Sequence, residues 1–181
     1  MAARVVLTYR DYAAIPADGR RYELHDGELS VTAAPAPGHQ HVLLELAVAL
    51  REFVNQHRLG KVFVSPIDCI LSDITVVEPD IVYLVSDRLA AVSGRGIEGP
   101  PTLAVEILSP STAHVDRGMK LQLYARYRVP YYWIVDLEAR AIEGHQLSGD
   151  AYVPTGGSAG SETVSLPPFA NLRLDLATLW S

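Results

Sequence analysis

The chain has 181 residues, with 15 lysines and arginines against 21 aspartates and glutamates, for a net charge of −6. That balance disfavours a protein that coats nucleic acid non-specifically, while leaving room for a local basic patch. No apolar run approaches the roughly 20 residues of a membrane span, no leader-like apolar core opens the chain, and the single Cys69 excludes an internal disulfide. Together these features point to one cytoplasmic domain over residues 1–181.

The first element in chain order is a short helix, capped by Thr8 with Asp11 three residues on and ended by Ile15-Pro16. Arg21 to Thr32 reads as a hairpin around Asp26-Gly27. A two-residue turn pairs Leu24 with Leu29 and Tyr22 with Val31 on one face, leaving Glu23, His25, Glu28 and Ser30 on the other. Ala33 to Gly38, with two prolines, is a connector. His39 to His57 carries Leu43, Leu46, Ala47, Leu50 and Val54 at helical spacing, with His41, Glu45, Glu52 and Gln56 on a polar flank.

Two strands are expected next, Lys61 to Leu71 and Val76 to Val85, followed by a Gly- and Pro-rich loop from Gly94 to Pro101. The stretch that follows organises the chain. Leu103 to Leu108 is apolar enough for a buried strand, a helix begins near Asp116, and Tyr131 to Val135 is a second β-rich run. Strand, helix and strand with short connections predict a right-handed crossover between parallel strands. Ala141 to Val153 reads as a hairpin, Thr155 to Ser161 as a surface loop, and Leu172 to Leu176 as a last strand. The expected class is α/β.

Three residues carry the chemistry. Glu106 interrupts the apolar strand 103–108, where an ionised carboxylate is costly unless it is paired or bound to a metal. Asp80 follows Glu78-Pro79 in the neighbouring strand. Two acids on adjacent strands can meet across the strand spacing and hold a hard divalent cation. Lys120 lies along the edge of the apolar face of the expected helix, stacked above Tyr124. Two carboxylates, a metal and a lysine suit phosphodiester hydrolysis.

Each residue also has an ordinary reading. Asp80 can be a turn acid, Glu106 and Lys120 a structural ion pair, and Lys120 a solvated charge on a snorkelling stem. His39 and His41 open a helix and point to different sides, without the acid or cysteine cluster that a zinc site needs. Ser109 and Ser111 lack the context of a nucleophile elbow. Arg117, Lys120, Arg126 and Arg128, extended by Arg88 and Arg95, can form a basic stripe or an ordinary solvated helix face.

An ordered set of motifs resembles the Uma-type putative restriction endonuclease family, a branch of the PD-(D/E)xK nuclease superfamily. It comprises Tyr22-Glu23-Leu24-His25-Asp26-Gly27-Glu28-Leu29, Pro79-Asp80, Val105-Glu106-Ile107-Leu108-Ser109-Pro110-Ser111-Thr112, Asp116 with Arg117 and Lys120, Tyr124, and Val129 to Asp136. The resemblance implies a restriction-endonuclease-like core of helix, three strands, helix and strand, with hairpins added outside. It further implies that Asp80, Glu106 and the carbonyl of Ile107 ligate Mg²⁺ or Mn²⁺, that the substrate is nucleic acid, most simply DNA, and that the protein is a homodimer. The superfamily lysine two residues after the second acid is absent, since Leu108 stands there. Lys120 on the following helix is its expected replacement. The alternative is a non-catalytic nucleic-acid or protein interaction module that keeps the fold.

Overall fold

The computed structural model describes residues 5–109 and 115–181, with backbone alone at 115 and 116. In chain order the elements are α1 (Tyr9–Ala13), β1 (Arg21–His25), β2 (Glu28–Thr32), α2 (Pro37–Gln56), β3 (Gly60–Val64), β4 (Cys69–Ser72), β5 (Thr75–Val77) and β6 (Ile81–Val85). A 3₁₀ turn (Ser86–Ala91) leads to β7 (Val92–Ser93), β8 (Gly96–Glu98) and β9 (Leu103–Leu108). A π-helical turn (Val115–Lys120) then runs into α3 (Leu121–Arg126), followed by β10 (Tyr131–Asp136), β11 (Ala141–Ser148), β12 (Ala151–Ala159), β13 (Thr163–Val164), β14 (Leu174–Asp175) and α4 (Leu176–Leu179).

The strands form two mixed six-stranded sheets, ordered β2-β1-β5-β4-β8-β7 and β12-β11-β10-β9-β6-β3, and a two-stranded ribbon of β13 and β14. β9 and β10 run parallel in register, Leu103 opposite Tyr131 through Leu108 opposite Asp136, as the strand–helix–strand reading requires. All six residues of β9 are buried, which explains its nearly continuous apolar run. Strand alternation divides the core. Ile81, Tyr83, Leu103, Val105, Ile107, Trp133 and Val135 pack on the α2 side with Leu43, Leu46, Leu50 and the C-terminal Phe169 and Leu176. Val82, Leu84, Ala104, Leu108, Tyr132 and Ile134 pack on the other side with Leu123 and Tyr124 of α3 and with Cys69, Val77 and Ile97 of the first sheet.

Two expected strands are corrected. The stretch 61–71 is not one strand but β3 and β4, and 76–85 is β5 and β6, each half belonging to a different sheet. The breaks fall at Pro66 and Pro79. Proline cannot donate to a ladder, so the chain leaves one sheet there and enters the other. Asp80 therefore sits at a sheet-to-sheet junction, one residue before β6, rather than inside a strand.

Smaller corrections concern the ends. β12 runs through the Gly/Ser-rich segment that reads as a loop, because hydrogen bonding to β11 outweighs the weak strand preference of glycine. β8 falls within the Gly94–Pro101 loop, and the expected last strand is the two-residue β14 turning directly into α4. The expected helix from Asp116 opens as a π-helical turn, and residues 110–112 of the expected turn lie outside the described residues. The Thr8–Asp11 cap is present: Asp11 Oδ2 accepts from both the backbone N–H and the hydroxyl of Thr8 at 2.8 Å. The hairpin pairs Leu24 with Leu29 and Tyr22 with Val31 as expected.

Candidate active site

Asp80 and Glu106 lie close to each other at the edge of the β6–β9 pairing in the second sheet. β6 and β9 are antiparallel, with Ile81 opposite Val105 and Val82 opposite Ala104. Continuing that register by one step would set Asp80 opposite Glu106, at the spacing of neighbouring Cβ atoms, about 4.5–5.5 Å. Both are buried, and Asp80 Oδ2 accepts the backbone N–H of Ile107 at 2.8 Å. That bond ties Asp80 to the residue that follows Glu106.

Lys120, in the last turn before α3, reaches this point. Its Nζ donates to Glu106 Oε1 at 3.0 Å, and Tyr124 one turn later donates its hydroxyl to the same oxygen at 2.6 Å. The i, i+4 spacing explains the pair, because both side chains leave one face of the helix. Burial, followed by the charges of Glu106 and Glu23, pushes the Tyr124 phenol well above its usual range, so it stays a donor. The structure thus brings Lys120 to Glu106 and Asp80 to the Glu106–Ile107 peptide.

Several residues around them were given no role at this site by the sequence, although Glu23 and His25 stand in the family motif and His39 was weighed for zinc. Glu23 of β1 comes from the other sheet: its Oε1 lies 3.0 Å from Lys120 Nζ and accepts the Glu78 N–H at 2.7 Å. Burial would raise its pKa, but Lys120, then His25 and the Glu78 N–H, outweigh that and hold Glu23 far below the usual carboxylate range. His25 Nε2 lies 3.3 Å from Glu23 Oε2. His39, at the start of α2, places Nε2 3.1 Å from Asp80 Oδ2, whereas His41 is exposed. Arg21 donates Nε to Glu78 Oε2 at 3.0 Å and sets a guanidinium nitrogen 3.6 Å from Asp80 Oδ1. The one signal available was the polar face of the hairpin, which carries Glu23 and His25 and turns inward.

Among the described residues the cluster is rich in acid: four buried carboxylates, Glu23, Glu78, Asp80 and Glu106, face the cations Arg21 and Lys120. Burial pushes Glu78 upward despite its bond to Arg21, and the charges of Asp68 and Glu23 add to it. Among the described residues, no three His, Cys, Asp or Glu side chains converge on one point suited to a metal ion. Any metal here would thus rest on two carboxylates completed by main-chain or water oxygen, a donor set that fits a hard cation such as Mg²⁺.

A cleft of about 240 Å³, lined by Tyr12, Ile15, Pro16, Arg20 and Tyr22, ends on Glu78, two residues from Asp80. On its flank Tyr12 donates to Asp68 Oδ1 at 2.8 Å, and burial raises the Asp68 pKa. A raised folded pKa means that the charged form is penalised above it, and that the penalty is released as pH falls towards the unfolded value of about 3.9. Asp68→Asn, which retains an acceptor for Tyr12, should therefore melt above the parent at pH 7 and lose that advantage below about pH 4. Paired thermal melts across that range test it.

The arginines expected to form a basic stripe are matched by acids. Arg117 pairs with Asp136 and Glu143, Arg126 with Asp26, Arg128 with Asp150 and Arg95 with Glu98, while Arg88 donates to the Pro100 carbonyl. These exposed pairs cancel much of the local positive charge.

The fold and site define a mixed α/β protein with a buried acid–lysine cluster where its two sheets meet. The chain belongs to the family described as Uma2, putative restriction endonuclease, whose model matches residues 9–177. Among solved structures it resembles a putative nuclease belonging to DUF820 from Anabaena variabilis ATCC 29413. The TM-score is 0.79 at 18% identity, over 96% of this chain and 97% of that one, a likeness of fold. No curated protein matches the chain. No helix among the described residues is long and apolar enough to cross a membrane.

Proposed function

We propose that the chain is a divalent-metal-dependent endonuclease with a restriction-endonuclease-like core, hydrolysing phosphodiester bonds in DNA. The core is α2, β3, β6, β9, α3 and β10, in the order expected of that superfamily. The observation that carries the reading is the Asp80 carboxylate bonded to the Ile107 N–H, next to Glu106, with Lys120 bonded to Glu106. Asp80, Glu106 and the Ile107 carbonyl would hold Mg²⁺ or Mn²⁺, whose charge also answers the excess of carboxylates. Bound there, the ion would lower the pKa of a water molecule and offset charge on the phosphate. Lys120 would orient that water or donate to a phosphate oxygen as charge develops. Arg21, His39 and the Ile107 N–H fix the Asp80 carboxylate, and Tyr124 fixes Glu106. Cutting both strands of a duplex calls for two such sites, which a symmetric homodimer provides.

The test is incubation of the purified protein with plasmid, single-stranded DNA and RNA, in Mg²⁺, Mn²⁺ or EDTA. Cleavage of DNA that needs metal and is lost in Asp80→Asn is the expected result. A second reading has its own support: Asp80, Glu106 and Lys120 are only 4–6% exposed. A non-catalytic interaction module using Glu106 and Lys120 as a buried ion pair would look the same in this respect. Absence of cleavage on all three substrates, with stability indifferent to metal, would select it.

A further inference from the structure

We propose that Glu23 is a positioning residue for Lys120, holding its ammonium against Glu106 from the opposite sheet. The catalytic part of this inference rests on the nuclease reading, whereas the positioning part rests on the distances alone. Lysine is a point charge on a flexible four-carbon stem, and one carboxylate leaves the ammonium free to swing about it. Two carboxylate oxygens at 3.0 Å, Glu23 Oε1 and Glu106 Oε1, define a single location between them.

Glu23 is itself fixed, because the same oxygen accepts the Glu78 N–H at 2.7 Å. That bond joins the hairpin to the Glu78-Pro79-Asp80 junction, so the element that aims Lys120 also abuts the one that presents Asp80. The burial of β1 points the same way. Glu23 is 4% exposed beside the fully buried Leu24, so its charge needs an ionic partner there, and Lys120 supplies it.

The experiment uses Glu23→Gln, which keeps the shape and an acceptor for the Glu78 N–H while removing the charge that faces Lys120. In EDTA it is expected to lower the melting temperature by roughly 2–4 °C in the parent, and not to lower it in a Lys120→Met background, where it relieves the repulsion between Glu23 and Glu106. With Mg²⁺ and plasmid, kcat should fall about tenfold or more, with KM and the Mg²⁺ activation constant within about threefold of the parent. Additive melting shifts in the two backgrounds would overturn the positioning role. A Mg²⁺ constant weakened about tenfold would overturn it differently, by making Glu23 a metal ligand. If the parent cleaves nothing, the nuclease reading fails and the catalytic part with it. The melting cycle still decides whether Glu23 places Lys120.

Discussion

Replacing Lys120 with methionine is expected to destabilise the metal-free protein by about 3–5 kcal/mol, a large part of the ~5–15 kcal/mol typical of a domain. Methionine keeps an unbranched stem, so the loss reports the charge rather than a cavity. Lys120 Nζ lies 3.0 Å from both Glu23 Oε1 and Glu106 Oε1, and all three side chains are buried. Without the ammonium, two low-dielectric carboxylates face each other across the space it filled. In the parent, Glu23 has a depressed folded pKa, so its contribution is present above its unfolded value of about 4.3 and is lost as pH falls through the folded one. In the variant the stranded acids are raised instead and gain stability by taking up protons. The gap between the two proteins should therefore close on acidification. Urea unfolding in EDTA from pH 7 to pH 4 measures this. A loss below about 1 kcal/mol at pH 7 would show that the ion triad contributes no more than a surface pair.

The elements that could be read from the sequence are those with a clear local pattern. β9 and β10 stand out as apolar runs, α2 by its helical period, and the hairpin by Asp26-Gly27 and the alternation around it. What could not be read is the exchange between sheets. Residues 61–71 and 76–85 each have the composition of one long strand, and nothing local says that Pro66 and Pro79 send their two halves to different partners. The same blindness governs the site. Asp80, Glu106 and Lys120 stand out because a charge in an apolar context is anomalous wherever it occurs. Glu23 and His25 lie on a hairpin whose alternation is ordinary, and only the second sheet folding over the first turns that polar face inward. Arg21 is invisible for a similar reason, and His39, weighed only for zinc, likewise reaches Asp80 from an element distant in sequence.

Glu106→Gln separates metal binding from ion pairing more sharply than the sequence alone suggests. Were Glu106 the sole partner of Lys120, the change would strand an ammonium and cost as much as losing Lys120 itself. The lysine is shared with Glu23, however, so it keeps a carboxylate at 3.0 Å in the variant. The amide oxygen can still accept from Tyr124, which donates to Glu106 at 2.6 Å in the parent. The cluster also loses one of its buried carboxylates, which relieves repulsion. Stability in EDTA should therefore stay within about 1 kcal/mol of the parent, in contrast to Lys120→Met. The response to metal should differ completely. On the proposed reading, Mg²⁺ at about 100 times its dissociation constant stabilises the parent by ~2.7 kcal/mol, and the variant, lacking one of two carboxylate ligands, by almost nothing. Cleavage should fall by about 10²–10³-fold, the scale of losing one charge-stabilising group. Melts of both proteins with and without Mg²⁺, beside the plasmid assay, carry the test. A parent whose stability ignores Mg²⁺ and Mn²⁺, together with a variant that unfolds as readily as Lys120→Met, would make Glu106 a structural ion-pair partner and nothing more.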